Sequence, residues 1–277
     1  VSRDSHPLPA TGSEPSPLRR ASWQLILDAA APGAWNMALD EALLEASAAD
    51  GTAFLRLYGW DPPTLSFGRN EPSLRRYDRG VIERRGLAVV RRPTGGRAVW
   101  HSRELTYSVA APCYLFGSLR RSYLEIHAML AAALGSLGAA VRLATGRPGP
   151  VGVSAGACFA SAVGGEVVTE DGRKLVGSAQ VRAGGAFLQH GSILLLQEQD
   201  VLSSVTRGTS EPPTATGLAE LVSPERAAWS EVAEAILGSA SRLWGISRRP
   251  TRPARTVLAR ADELRARYES SAWVWRR

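Results

Sequence analysis

The chain predicts an α+β fold: a single domain whose mixed, largely antiparallel β-sheet is flanked by helices. Three observations predict it. Short runs of alternating apolar and polar residues cluster in the middle of the 277 residues, the period of strands with one face in a core. Segments with helical spacing punctuate them, without the regular strand–helix alternation of a parallel sheet. Hydrophobic residues make up 44% and charged residues 21%, so a sizeable core can form without disulfide or metal staples.

Residues 1–20 are poor in large apolar side chains and read as a disordered arm, with the folded domain from 21 to 277. Trp23-Gln24-Leu25-Ile26-Leu27 is the first expected strand. A helix is expected over about 34–49, with Met37, Leu39, Leu43 and Leu44 at helical spacing. Phe54 to Tyr58 alternates as a strand, and Thr64 to Gly68 is another after the Pro62-Pro63 break. A short helix around 78–85 ends at Gly86. Leu87 to Arg92 is a strand that runs into a glycine turn, and Glu104 to Ala110 alternates again. A long helix runs from about Ser118 to Leu137 and stops at Gly138. Residues 144–157 form a Gly/Pro/Ser-rich loop leading to Cys158. Glu166 to Thr169 and Lys174 onward read as a hairpin around Asp171-Gly172. Ala186 to Leu196 is a further strand, and segments near 198–206, 225–245 and 255–269 have helical spacing. No internal repeat is present.

Composition narrows the function classes. Cys113 and Cys158 are too few for a disulfide framework in a chain this long. Residues 1–20 hold no apolar signal core, and no apolar run approaches the length of a membrane span. The expectation is a cytoplasmic protein with reduced thiols and no membrane attachment. A formal charge of +7 favours an acidic partner. No zinc-finger spacing, basic zipper or basic–aromatic run points to nucleic acid, and no constellation calls for a metal.

Three segments could carry chemistry. Lys174 is the sole lysine among 33 Lys plus Arg. Arginine stays charged and presents a planar fork, whereas lysine is a compact point charge that can lose its proton when desolvated. Cys158 stands sixteen positions earlier, within reach if the intervening hairpin folds back. A nearby ammonium would lower the pKa of its thiol. The plainer alternative is a buried small hydrophobe, which suits Cys113 better. Arg91-Arg92-Pro93-Thr94-Gly95-Gly96-Arg97-Ala98-Val99-Trp100-His101 offers glycines that let backbone N–H groups approach a ligand, and arginines that suit an anion. An ordinary turn and a hydrogen-bonded histidine remain open there. Leu188-Gln189-His190-Gly191-Ser192-Ile193-Leu194 places polar residues in an apolar strand, either at the polar end of a pocket or as a satisfied core histidine.

Together these segments resemble the lipoate–protein ligase, octanoyltransferase and biotin ligase superfamily. Arg91 to His101 fit its R-R-x-S/T-G-G-x-x-V-x-H segment. Lys174, Gly177 and Ala179 fit K-x-x-G-x-A, and His190 to Leu194 fit H-G-S/T-I/L-L. The likeness covers roughly residues 22–206. It implies the superfamily's fold, with Arg92, Gly95, Gly96, His101, Gly177, Ser178, Ala179, His190, Gly191 and Ser192 binding substrate. Cys158 places the chain nearest the cysteine-dependent octanoyltransferases. That branch implies octanoyl delivered on the phosphopantetheine of acyl carrier protein, a Cys158 thioester, and an acceptor lysine on the glycine cleavage H protein or another lipoyl domain. It implies Lys174 as the cation beside the thiolate, with no separate cofactor. A monomer is expected, since capture of the two protein substrates needs no second subunit. Arg97 and Ser102 depart from the glycine and aspartate usual in ATP-dependent ligases. Such a ligase, an amidotransferase between lipoyl domains, and a non-catalytic acyl sensor or nucleic-acid-binding protein are the competing readings.

Overall fold

The computed structural model describes residues 16–145, 164–208 and 214–276. The strands are β1 (Trp23–Leu27), β2 (Ala53–Tyr58), β3 (Thr64–Phe67), β4 (Ala88–Arg91), β5 (Val99–His101), β6 (Glu104–Pro112), β7 (Val141–Leu143), β8 (Val167–Thr169), β9 (Val176–Ala183) and β10 (Ala186–Leu194). The helices are α1 (Pro17–Arg20), α2 (Gly33–Asp50), α3 (Ser73–Arg76), α4 (Arg79–Arg84), α5 (Cys113–Phe116), α6 (Leu119–Ser136), α7 (Val201–Val205), α8 (Trp229–Trp244), α9 (Arg255–Glu269) and α10 (Ser271–Val274).

The main sheet has the order β1-β2-β6-β10-β9; β1 pairs parallel with β2, and the other neighbours are antiparallel. A smaller sheet, β4-β3-β5, is parallel on one side of β3 and antiparallel on the other. β7 and β8 form an antiparallel pair. The expected α+β, mixed and largely antiparallel architecture is therefore what the chain adopts.

Both faces of the main sheet are covered, and strand alternation sorts its residues between them. Leu55, Leu57, Leu105, Tyr107, Val109 and Phe187 pack with Ile126, Met129 and Leu130 of α6 and Ile236 of α8. Phe54, Tyr58, Ala110 and Leu188 pack on the other side with Met37, Leu39 and Leu43 of α2 and Ala261 and Leu264 of α9. Fully burying each large apolar side chain contributes about 1.5–3 kcal/mol, which is why this sheet fixes the register of the polar residues among them.

Local signals set the helix ends. α2 stops at Gly51, whose φ of 79° is left-handed and whose N–H returns to the Ser47 carbonyl at 3.1 Å. Ser118 caps α6 by accepting from Arg121 N–H, and Asp78 caps α4 by accepting from Val81 N–H.

Several expectations need correction. Residues 17–20 are not part of a disordered arm: they form α1, and Leu18 packs against the main core. Trp23 Nε1 donates to the Leu18 carbonyl at 2.9 Å, a tie that low hydrophobicity alone does not reveal. Residues 1–15 lie outside the described residues. β5 and β7 are three-residue strands, too short to register as alternation. The turn at Asp171-Gly172 forms, with Gly172 at φ 87°. The expected hairpin is present but short: Thr169 N–H donates to the Arg173 carbonyl at 2.9 Å and Leu175 N–H to the Val167 carbonyl at 3.2 Å, around an antiparallel Val168–Lys174 bridge, while β8 takes its ladder from β7.

Candidate active site

A narrow cleft beside the main sheet opens to solvent. Its lining includes Arg92, His101, Gly177, Ser178, Ala179, His190, Gly191 and Ser192, so three segments far apart in sequence meet at one place. Met37, Tyr58, Trp60, Val99 and Thr106 complete the wall. Met37 and Tyr58 are fully buried at its inner side. Gly96 is exposed, and a Cβ there would stand 3.9 Å from that of Ala179, which puts the glycine turn at the mouth with Gly95 beside it.

Two buried relays hold the histidines. His190 Nδ1 donates to Asp40 Oδ2 at 2.9 Å, and its Nε2 lies 2.6 Å from Thr94 Oγ1. His101 Nδ1 donates to Glu104 Oε1 at 2.8 Å, and its Nε2 lies 2.6 Å from Ser66 Oγ. The His101 ring stacks on Trp60 at 3.9 Å between centroids. Ser66 and Thr94 are fully buried, and their hydroxyls orient the rings. Burial pushes the His101 pKa down despite Glu104, which keeps the ring neutral. Burial alone would raise Asp40; the hydrogen bond from His190 and the Arg56 guanidinium outweigh it and hold the carboxyl below its ordinary value.

The arginines of the glycine segment point inward. Arg91 is fully buried and donates to the carbonyls of Gly68, Glu71, Trp273 and Val274. It pins the chain's C-terminal turn, which corrects the reading of Arg91 as an anion ligand. Arg92 lines the cleft but also staples the turn, donating to the carbonyls of Gly95 at 3.1 Å and Arg97 at 2.7 Å. Close approach explains the glycines: a Cβ on Gly68 would lie 1.8 Å from the Gly96 carbonyl oxygen.

Lys174 lies on the α6 side of the sheet. Its Nζ is 2.7 Å from Glu166 Oε1, with the two side chains 3% and 4% exposed. Beside them runs a hydrogen-bond chain whose direction is set at both ends by carbonyls, which can only accept. His127 Nδ1 donates to the Gly165 carbonyl at 2.7 Å, so its Nε2 must accept from Ser178 Oγ at 2.8 Å. Ser178 in turn accepts from Tyr107 at 2.6 Å, Tyr107 accepts from Gln189 at 2.8 Å, and Gln189 accepts from Gln180 at 2.8 Å. Gln180 Nε2 also donates to the Leu119 carbonyl at 3.1 Å. Ser178 reaches Tyr107 across Gly191, its register partner, where a Cβ would lie 2.4 Å from Ser178 Oγ. Burial pushes His127 down to about 4; the Gly165 carbonyl opposes this and the Lys174 charge adds to it. Ser178 thus belongs both to the cleft wall and to the surroundings of Lys174.

Cys158 lies outside the described residues. Cys113 opens α5 and packs half-buried against the main core, as a small apolar side chain does. Sequence reasoning missed Asp40, Trp60, His127 and Glu166. Asp40 carried a signal: it falls three residues after Met37, on the inward side of α2, where an acid requires a partner. Trp60 and His127 carried none, because their partners are remote in sequence; Glu166 stands only eight positions before Lys174, across the expected turn, but no motif marks it.

Residues 32–237 match the lipoyl protein ligase A/B catalytic domain. The chain belongs to that family. Octanoyltransferase LipM of Moorella thermoacetica is 39% identical over 271 residues, 92% of this chain and 98% of the relative. The LipM octanoyltransferase of Kyrpidia tusciae is 38% identical over 278 residues, 92% of this chain and 99% of the relative. Among solved structures, lipoate-protein ligase A bound with ATP superposes with a TM-score of 0.76 at 22% identity, covering 92% of this chain and 98% of the other. A putative lipoate protein ligase of T. acidophilum with bound lipoic acid gives 0.75 at 21%, covering 92% and 99%. These likenesses show the family's ligase-like fold.

Proposed function

We propose that this member of the lipoyl ligase family is an acyltransferase that moves octanoyl from acyl carrier protein onto a lysine of a lipoyl domain, within protein lipoylation. The 39% identity to a LipM octanoyltransferase over nearly the full length of both chains carries the reading. The cleft adds to it: Met37, Tyr58, Trp60 and Val99 offer an apolar slot, and Gly95 and Gly96 stand at the mouth.

In this reading the Cys158 thiolate attacks the octanoyl thioester carbonyl. The bond to the phosphopantetheine sulfur breaks, and the carrier thiolate leaves and takes up a proton. The acceptor lysine, as the free amine, then attacks the Cys158 thioester; an amide forms, the amine loses its proton and the Cys158 thiolate is released. The Lys174 ammonium stabilises negative charge on sulfur and on the developing oxyanion. No separate cofactor, metal, nucleic acid or membrane is required. The acceptor is the glycine cleavage H protein or another lipoyl domain, and a cytoplasmic monomer suffices.

Intact-protein mass spectrometry after incubation with octanoyl-acyl carrier protein, without ATP, tests this. The expected result is a hydroxylamine-labile octanoyl adduct that Cys158→Ala abolishes. Acylation of a lipoyl domain only from free acid plus ATP would place the chain with the ATP-dependent ligases instead.

A further inference from the structure

Every basic side chain here is arginine except Lys174. The chain uses arginine even for a fully buried ion pair: Arg56 Nη1 meets Asp40 Oδ1 at 2.9 Å with neither side chain exposed. Burial alone therefore does not call for lysine. A second buried pair nevertheless joins Lys174 to Glu166. Two apolar side chains of similar volume would serve stability at least as well, since a buried pair carries a large desolvation cost.

Glu166 is held in place by α6. Tyr123 donates its hydroxyl to Glu166 Oε1 at 3.2 Å. His127 grips the preceding carbonyl, that of Gly165, at 2.7 Å. Gly165 has φ +93°, a left-handed backbone that favours glycine, and it lies beside Tyr123 and Leu124 of α6. The carboxylate thus has supports of its own, independent of the lysine it meets. A single carboxylate oxygen can aim a compact ammonium, whereas a guanidinium fork asks for two acceptors in a plane.

We infer that Glu166 is a positioning residue for acyl transfer: α6 fixes its carboxylate, and the carboxylate fixes where the Lys174 ammonium points. The inference rests on Lys174 acting at the thioester, as in the proposed function. Nothing in the sequence motifs marks Glu166, eight residues before the lysine.

Rapid-quench mass spectrometry on the full chain, with octanoyl-acyl carrier protein at a series of concentrations, separates the cases. Burst amplitude reports the folded, competent fraction, and the burst rate reports positioning. Glu166→Gln keeps the shape and removes the charge. Its acylation rate at saturating donor is expected to fall on the order of 10²-fold, as for a misplaced catalytic group. Half-saturation should stay within about twofold, since donor binding is untouched. Glu166→Asp should recover part of the rate. A wild-type rate in Glu166→Gln, or a loss confined to half-saturation, overturns the inference. If Glu166→Gln does not fold, Tyr123→Phe carries the test: a severalfold slower burst supports it and an unchanged burst overturns it. A wild-type chain that never acylates overturns the proposed function and this inference together. Wild-type acylation with unaffected variants overturns this inference alone.

Discussion

His127 shows how much one side chain is asked to do. It accepts from Ser178 with one nitrogen and donates to Gly165 with the other, so only the neutral ring satisfies both. Burial pushes its folded pKa down to about 4 from 6.5. As pH falls below 6.5 the unfolded chain takes up the proton first. The stabilisation is therefore complete above the unfolded value and lost progressively toward 4, an effect of roughly 3 kcal/mol. His127→Phe, compared with wild type in thermal melts from pH 7 to 4.5, should lie furthest below wild type at pH 7 and converge on it in acid. Parallel curves would mean that the ring is not neutral in the fold. Asp40 is kept charged where His127 is kept neutral: it accepts from Arg56, Tyr58, Ser108 and His190.

At the scale of elements, the glycine turn after β4 is positioned by what lies beneath it. Gly68 and Gly96 touch so closely that a methyl on Gly68 overlaps the Gly96 carbonyl. Gly68→Ala should cost about 1–3 kcal/mol by overpacking and shift the turn that carries Thr94 and Arg92. Gly95 meets nothing within 4 Å, so Gly95→Ala should stay within about 0.5 kcal/mol of wild type. Melting temperature and acylation rate measured on the two variants check the contrast. The same turn is tied to the C-terminus: Arg91 donates to the carbonyls of α10, and Trp273 Nε1 returns to the Arg91 carbonyl at 3.0 Å. α10 thus supports the site from nearly two hundred residues away.

For the whole molecule, electrostatics and architecture act separately. The formal charge of +7 does not shape the fold but biases encounter with acidic proteins. Acyl transfer from an acidic carrier protein should weaken as salt rises from 50 to 300 mM, mainly through the association rate. Equal rates across that series would remove charge from the account of recognition. Among the described residues no helix is long and apolar enough to cross a membrane. The fold puts Ser178 both in the cleft wall and in the hydrogen-bond chain beside Lys174, with Gly191, its register partner, lining the same cleft.

Much of this was legible in the residues because it is local. Period-2 alternation located β2 and β6, and Gly86 and Gly138 marked where helices end. The motifs around Arg92, Gly177 and His190 named most of one cleft wall. The three-residue strands β5 and β7 escaped because three residues hold no readable period. Only the tertiary structure decided who partners whom: Asp40 with His190 across 150 positions, Arg91 with α10 across about 180, and Glu166 with the lone lysine. A side chain's periodicity and capping depend on its immediate neighbours, so a sequence displays them. Its hydrogen-bond and ion-pair partners are whatever the packed sheet and helices bring within about 3 Å, and that depends on the whole chain.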